Sequence, residues 1–410
     1  MKERFRPVFL TGIARSGTNL VGRMLCANPG VMVSIDAYLP LFRSLRNALL
    51  RHREGYEIGG KRRKEALQDS YFGGEEIRDL DCLHGGNLDL RFDSEEWPTL
   101  QAQLKSRASD DAADLVPHLS QLHGAETYRE LFDRALAVIA KARNAEDRAW
   151  IGMKDVWVVD FFPAIARSYP GARFILILRD PRAAVASNQP AKGTSQFGHP
   201  ISYARHWRKN VADAVRYRDD SLLASRCLVV FYEDVLRNPE GEARKWCEFL
   251  DLPFDPAMTD PSQFKDFTRG GVWAGNSSFE NTPEIDARRA DRWRRGLEPE
   301  IARTVDFVCG PEMRLAGYVP DKDYREERPE PEVLEYYIRS NQDPCSWRSD
   351  SGDPLEDYGR ELFRYALLNF STGAAPPDLI RRCFLFEEVY GLVRNRSLDV
   401  LRTGHGRDRA

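Results

Sequence analysis

Arg15, Ser16, Thr18 and Asn19 stand in and just after a turn bounded by Gly12 and Gly17, within the stretch RPVFLTGIARSGTNLVGRMLC. A guanidinium, two hydroxyls and an amide gathered at one turn are suited to holding a phosphate or sulfate group. The neighbouring pattern shows what would position them. Val8, Phe9 and Leu10 form a short apolar run of the kind that makes a buried parallel strand. From Thr18 onward Leu20, Val21, Met24 and Leu25 recur at helical spacing, and Asn28-Pro29-Gly30 stops the helix. A strand that feeds a turn and then a helix N-terminus leaves main-chain N–H groups unpaired at the positive end of the helix dipole. That arrangement binds anions.

Further chemistry is expected at other strand ends. Val31-Met32-Val33 is a strand candidate running into Ser34-Ile35-Asp36. Parallel strands bring their C-terminal ends to one edge, so Asp36 is expected on the edge that carries Arg15. The alternative for Asp36 is a solvated loop carboxylate or a helix cap. The clearest buried strand is RFILIL, residues 173–178, with Arg179 at its end and Ser187 on the helix that Pro181 opens. An Arg and a hydroxyl so placed would make a second phosphate clamp; pairing of Arg179 with Asp180 or Asp155 is the structural alternative. A strand at 228–231 ends at Tyr232. The Gly12-x-x-x-x-Gly17 spacing is that of a nucleotide P-loop, but Thr18 occupies the position of that loop's lysine. A kinase or other nucleotide phosphotransferase would lack its contact to the terminal phosphates, which makes it the weaker reading.

These blocks resemble the sulfotransferases that use 3′-phosphoadenosine 5′-phosphosulfate. In their 5′-phosphosulfate loop R-S-G-T-T follows the first strand, and here Asn19 replaces the second Thr. KDVWVVDFFPAIARSYPGARFILILRDPRAAVASNQ resembles the segment carrying the 3′-phosphate site. The resemblance implies that Arg15, Ser16, Gly17, Thr18 and Asn19 hold the 5′ end of the donor, and that Arg179 and Ser187 hold its 3′-phosphate. Tyr232 belongs to the implied nucleotide site. A late loop with Ser277 and Ser278, followed by Arg288 and Arg289, resembles the one that closes over the nucleotide. Lys154 resembles the lysine that approaches the sulfuryl group in the tyrosylprotein branch, and Asp36 matches the position of that branch's catalytic Glu. The implied chemistry is in-line transfer of a sulfuryl group to a hydroxyl, with Asp36 as general base and Lys154 and Arg15 stabilising charge. No metal is expected. A catalytically silent nucleotide-binding protein is the rival from another class; it would tolerate loss of Asp36 and Lys154, and both are present.

The fold expected is α/β: a P-loop-like three-layer domain over residues 1–320 with a central parallel sheet and a helical insert at about 39–150. A polar linker, 321–331, and a helical C-terminal extension, 332–410, follow. In that extension two amphipathic helices are read, one around 355–370 and one from Pro376-Pro377 onward. They would pack on the domain or join two copies as a homodimer. A helix is also read over residues 156–168, after Lys154.

Composition narrows the function classes. The chain has 410 residues, 42% of them hydrophobic, which is enough for a sizeable core. A net charge of −3 argues against a general nucleic-acid binder and leaves room for a local basic anion site. The seven cysteines occur singly, with no C-x-x-C, which points away from a metal array or disulfide framework and towards a reducing, cytoplasmic setting. No stretch has the length of a membrane span. A basic run at 43–64 gives way to an acidic one at 65–96, and the latter argues against a long polyanionic acceptor.

Overall fold

The computed structural model describes residues 5–51, 72, 76–188, 200–275, 285–325, 327–333, 335, 354–371 and 375–403. In chain order its elements begin with β1 (Arg6–Thr11), α1 (Thr18–Ala27), β2 (Val31–Ile35), α2 (Leu39–Arg51), α3 (Glu76–Gly85), α4 (Trp97–Asp111) and α5 (Tyr128–Ala142). There follow β3 (Trp150–Lys154), α6 (Phe162–Ser168), β4 (Arg173–Leu178), α7 (Pro181–Asn188), α8 (Pro200–Asp219), β5 (Cys227–Phe231), α9 (Tyr232–Arg237) and α10 (Pro239–Phe249). The last are α11 (Trp293–Gly296), α12 (Pro299–Leu315), α13 (Pro354–Asn369), α14 (Pro377–Phe384), α15 (Glu387–Arg394) and α16 (Val400–Thr403). They form two compact units. The first comprises Met1–Ile58, Cys82–Ile177 and Ser225–Ala290; the second comprises Gly59–Asp81, Leu178–Ala224 and Asp291–Ala410.

The first unit holds a five-stranded sheet in the order β2-β3-β1-β4-β5. Its parallel register sets Leu10 opposite Lys154, and Ile35 opposite Lys154 on the other side. β1 is therefore central, and the chain order reverses about it, which puts the loop after β1 at the switch point of the sheet. Alternation along β1 separates two cores. Val8 and Leu10 pack with Val21, Met24, Leu25, Trp150, Ile177 and Trp246 on one face. Phe9 on the other face meets Phe132, Tyr169 and Phe174, each ring centroid about 6 Å away. These two cores make the three layers that the sequence pattern implies.

Two local readings need correction. The helix read over 156–168 is α-helical only from Phe162, after a short 3-10 turn at Val159–Phe161. Trp157 takes a positive φ of 67°, so the chain bends before the helix starts. The second helix of the C-terminal extension is two helices, α14 and α15, parted at Leu385, where φ is 64°.

The second unit is helical. α8 packs along α12, and α15 and α16 lie against α8. The residues read as a polar linker are pinned within this unit: the Asp306 carboxylate accepts from the Asp321 and Lys322 N–H groups at 3.0 and 3.1 Å.

Candidate active site

The turn after β1 is tight because two glycines allow it. A Cβ on Gly12 would lie 2.5 Å from Ser16 Oγ and 2.6 Å from the Ile177 carbonyl oxygen. Gly17 has φ of 91°, and a Cβ there would fall 2.1 Å from the Tyr232 ring. Tyr232, the first residue of α9, thus lies directly on the loop. Arg15 also takes a positive φ, 66°, a conformation that costs a non-glycine residue free energy and is retained where the surroundings impose it. Ser16 is fully buried, and its hydroxyl donates to the Ile13 carbonyl at 2.7 Å. Ser16 therefore shapes the turn with the proton that the sequence reading assigned to an anion. α1 starts with no side-chain cap and no acidic residue in its first turn. The first main-chain bond into the helix runs from Val21 N–H to the Gly17 carbonyl, which leaves the preceding N–H groups available to an anion. A tight, uncapped, Arg-bearing turn fits an anionic phosphate or sulfate group.

Beside this turn stands a buried ion pair. Lys154 ends β3 and Asp36 follows β2, so neighbouring parallel strands deliver both side chains to one sheet edge. Lys154 Nζ lies 2.6 Å from Asp36 Oδ2, with the side chains 1% and 9% exposed. Nζ also donates to Asn19 Oδ1 in the first turn of α1, which ties the pair to the loop. Asp36 occupies a left-handed turn with φ of 54°. Its N–H donates to the Lys154 carbonyl at 2.7 Å and its own carbonyl accepts from Arg107 Nε at 2.8 Å. Arg107 Nη2 approaches Asp36 Oδ1 to 3.9 Å and Asp111 Oδ2 to 3.4 Å.

Asp155, next to Lys154, is also buried. Burial pushes its carboxyl well above the usual carboxylate range; the Asp36 charge adds to that, while Arg107, Lys154 and the Tyr38 main chain oppose it. Burial likewise raises Asp111, and the Asp36 charge adds to that while Arg107 and Lys154 oppose it. Three carboxyl groups and two cations therefore share one small region, in which Asp36 holds the closest cationic contact. The sequence reading assigned no role to Arg107 or Asp111, and it named Asp155 only as an alternative partner for Arg179. Arg107 and Asp111 lie in a helix without a recognisable motif, so only the fold reveals their position.

The first unit thus brings together Arg15, Ser16, Gly17, Thr18, Asn19, Asp36, Lys154 and Tyr232. Arg288 and Arg289 lie in a 3-10 turn of the same unit, where Arg288, 87% exposed, pairs with Asp286 at 3.0 Å. Ser277 and Ser278 lie outside the described residues. Arg179 and Ser187 belong to the second unit. Arg179 directly follows β4, and its carbonyl accepts from Trp207 Nε1 at 2.7 Å; Ser187 is buried near the end of α7. Asp180 pairs with Arg182 at 2.8 Å. Arg182 also meets Asp306 and Asp321, at 3.3 and 3.2 Å, and stacks on Trp293 with its guanidinium carbon 4.2 Å from the ring centroid. The second arginine of R-D-P-R is a structural anchor.

The chain is 28% identical over 171 residues to human carbohydrate sulfotransferase 3, a match covering 37% of this chain and 34% of that protein. It is 27% identical over 173 residues to protein-tyrosine sulfotransferase A of Caenorhabditis elegans, covering 41% of this chain and 44% of that protein. The match to each of these two relatives thus spans less than half of the relative's own length. Among solved structures, the sulfotransferase domain of the Synechococcus PCC 7002 olefin synthase aligns with a TM-score of 0.42 and 20% identity, over 72% of this chain and 90% of that one. The family model described as the sulfotransferase family matches residues 7–256, which include the loop, Asp36, Lys154, Arg179 and Tyr232. The chain belongs to the sulfotransferase family.

Proposed function

We propose that the protein transfers a sulfuryl group from 3′-phosphoadenosine 5′-phosphosulfate to a hydroxyl of a small-molecule, carbohydrate or peptide acceptor. The observation that carries this reading is the buried Asp36–Lys154 pair, tied through Asn19 to an uncapped helix N-terminus beside Arg15. Membership of the sulfotransferase family supports it. A kinase reading has no loop lysine to rest on.

In this proposal the donor supplies an activated sulfuryl group on a phosphate leaving group. Arg15, the free N–H groups at the start of α1, the Thr18 hydroxyl and the Asn19 amide hold its 5′ end. Ser16 and Gly17 keep that loop in shape, and Tyr232 walls it. By the resemblance of their segments, Arg179 and Ser187 are assigned to the 3′-phosphate, and Ser277, Ser278, Arg288 and Arg289 to the nucleotide. Asp36 accepts the acceptor's hydroxyl proton as the new oxygen–sulfur bond forms and the sulfur–oxygen bond to phosphate breaks. Lys154 and Arg15 offset the negative charge that develops on the transferring group and the departing oxygen. Positioning and fixed charge suffice for such a transfer, so the proposal includes no metal.

Calorimetry with 3′-phosphoadenosine 5′-phosphate and with ADP tests the donor assignment. A charge-assisted phosphate contact contributes about 1.5–3 kcal/mol, so a preference of about tenfold or more for the 3′-phosphorylated nucleotide is expected. Arg179→Ala should remove that preference. Equal affinity of the unaltered protein for ADP overturns the assignment. Tyrosine peptides and sugar hydroxyls are the first acceptors to assay, given the names of the relatives. Self-association through the C-terminal helices is a separate proposal, which the protein's mass in solution decides.

A further inference from the structure

The site poses a chemical problem. The group proposed as base and the cation proposed to act on the sulfuryl group are bonded to each other, at 2.6 Å. A carboxylate held by an ammonium is a weaker base, and a Lys that leaves it for the donor strands a buried anion. Something else must keep Asp36 ionised and in place while Lys154 acts elsewhere.

Arg107 has the required geometry. Trp97, Leu100, Leu104 and Ala108 form the buried stripe of α4, and α4 packs on α2, the helix that follows Asp36. That packing carries Arg107 to the turn. Its Nε donates to the Asp36 carbonyl at 2.8 Å, fixing the left-handed backbone. Its Nη2 stands 3.9 Å from Oδ1, the oxygen that Lys154 does not hold. The Arg107 side chain is one-third exposed, so it carries its charge at little desolvation cost. One turn on, Asp111 shares the guanidinium at 3.4 Å.

We infer that Arg107 is a positioning residue for the transfer, holding Asp36 ionised and oriented when Lys154 turns from it to the donor. This rests on the reading of Asp36 as base. Among the described residues, the charged groups facing Asp36 are Lys154 and Asp155 at the end of β3, and Arg107 and Asp111 on α4; Asn19 of α1 reaches it through Lys154.

The test follows the Asp36 carboxyl itself, by carbon NMR titration of protein labelled at the aspartate side-chain carboxyl, with the resonance assigned through Asp36→Asn. The protein is saturated with 3′-phosphoadenosine 5′-phosphate. Removing a nearby cation disfavours the anion, so Arg107→Gln should move the Asp36 midpoint upward by about one pH unit. Arg107→Lys, which keeps the charge, should leave the midpoint close to that of the unaltered protein, and it serves if the Gln variant does not fold. Asp111→Asn removes a like charge and should move the midpoint the other way. A midpoint that ignores both Arg107→Gln and Asp111→Asn in folded protein overturns the inference. Full turnover by Asp36→Asn instead overturns the base reading while leaving the titration result intact, so the two failures are distinct.

Discussion

At the residue scale, the site depends on two buried charges that stabilise each other only as a pair. Lys154 and Asp36 are almost out of solvent, and removing one partner of such a pair leaves the other uncompensated, at a cost of about 3–5 kcal/mol. Lys154→Met should therefore lower stability towards urea by that order, and adding Asp36→Asn should recover part of the loss. Asp36→Asn alone keeps the shape and an oxygen for Lys154 but cannot take a proton. It should cut turnover by about 10²-fold while nucleotide affinity changes little; a loss of nucleotide binding would make Asp36 structural. In the sequence, Asp36 was singled out by the strand candidate before it, and Lys154 by the resemblance of its segment. Arg107 and Asp111 were not, since their importance comes from helix packing that brings residues far apart in sequence to one turn. Ser16 shows the converse. Its type suggested an anion ligand, yet a hydroxyl carries one proton, and that proton goes to Ile13.

At the scale of elements, the phosphate loop is a joint between β1, α1 and α9. Apolar runs announced β1 and β4, and helical spacing announced α1. β3 was less legible: Trp150-Ile151-Gly152-Met153-Lys154 mixes a glycine and a lysine into five residues, and its strand character comes from pairing on both sides with β1 and β2. The contact between Gly17 and Tyr232 was hidden for the same reason, because it joins elements remote in sequence. It supports a specific expectation. Gly17→Ala meets both a positive φ and a ring 2.1 Å from the new Cβ, so it should destabilise the protein by about 1–3 kcal/mol and weaken nucleotide binding. Adding Tyr232→Ala relieves the collision but not the backbone strain. Partial recovery of the urea midpoint in the double variant is expected; full recovery would show that the left-handed backbone costs nothing there.

At the scale of the whole molecule, the C-terminal helices enter the second unit through charge. An apolar face on residues 355–370 was expected to pack on the domain or to join two copies; Phe363 and Phe370 are 61% and 65% exposed, while Glu361 and Arg364 are buried. Periodicity of apolar residues could not show it, because the stabilising partners are charges on α8 and α12. Glu361 accepts from Arg208 Nη1 at 2.8 Å and from Arg205 Nε at 3.3 Å, and Arg364 pairs with Glu312. Burial by itself would raise the Glu361 carboxyl; the Arg208 and Arg205 charges outweigh it and hold the group down at about 2, from an ordinary 4.5. A carboxyl held lower in the folded state than in the unfolded state stabilises the fold above the unfolded value. That contribution is lost as pH falls from about 4.5 towards 2, and it is on the order of 3 kcal/mol. Glu361→Gln should be the less stable protein at pH 7, because Arg208 loses its buried counter-ion. Its disadvantage should then shrink as the solution is acidified through that window, since the unaltered protein loses what the variant never had. Urea unfolding at steps between pH 7 and pH 3, followed by a signal from the second unit, measures the gap; parallel curves for the two proteins would mean that the Glu361 charge does not hold α13 in place.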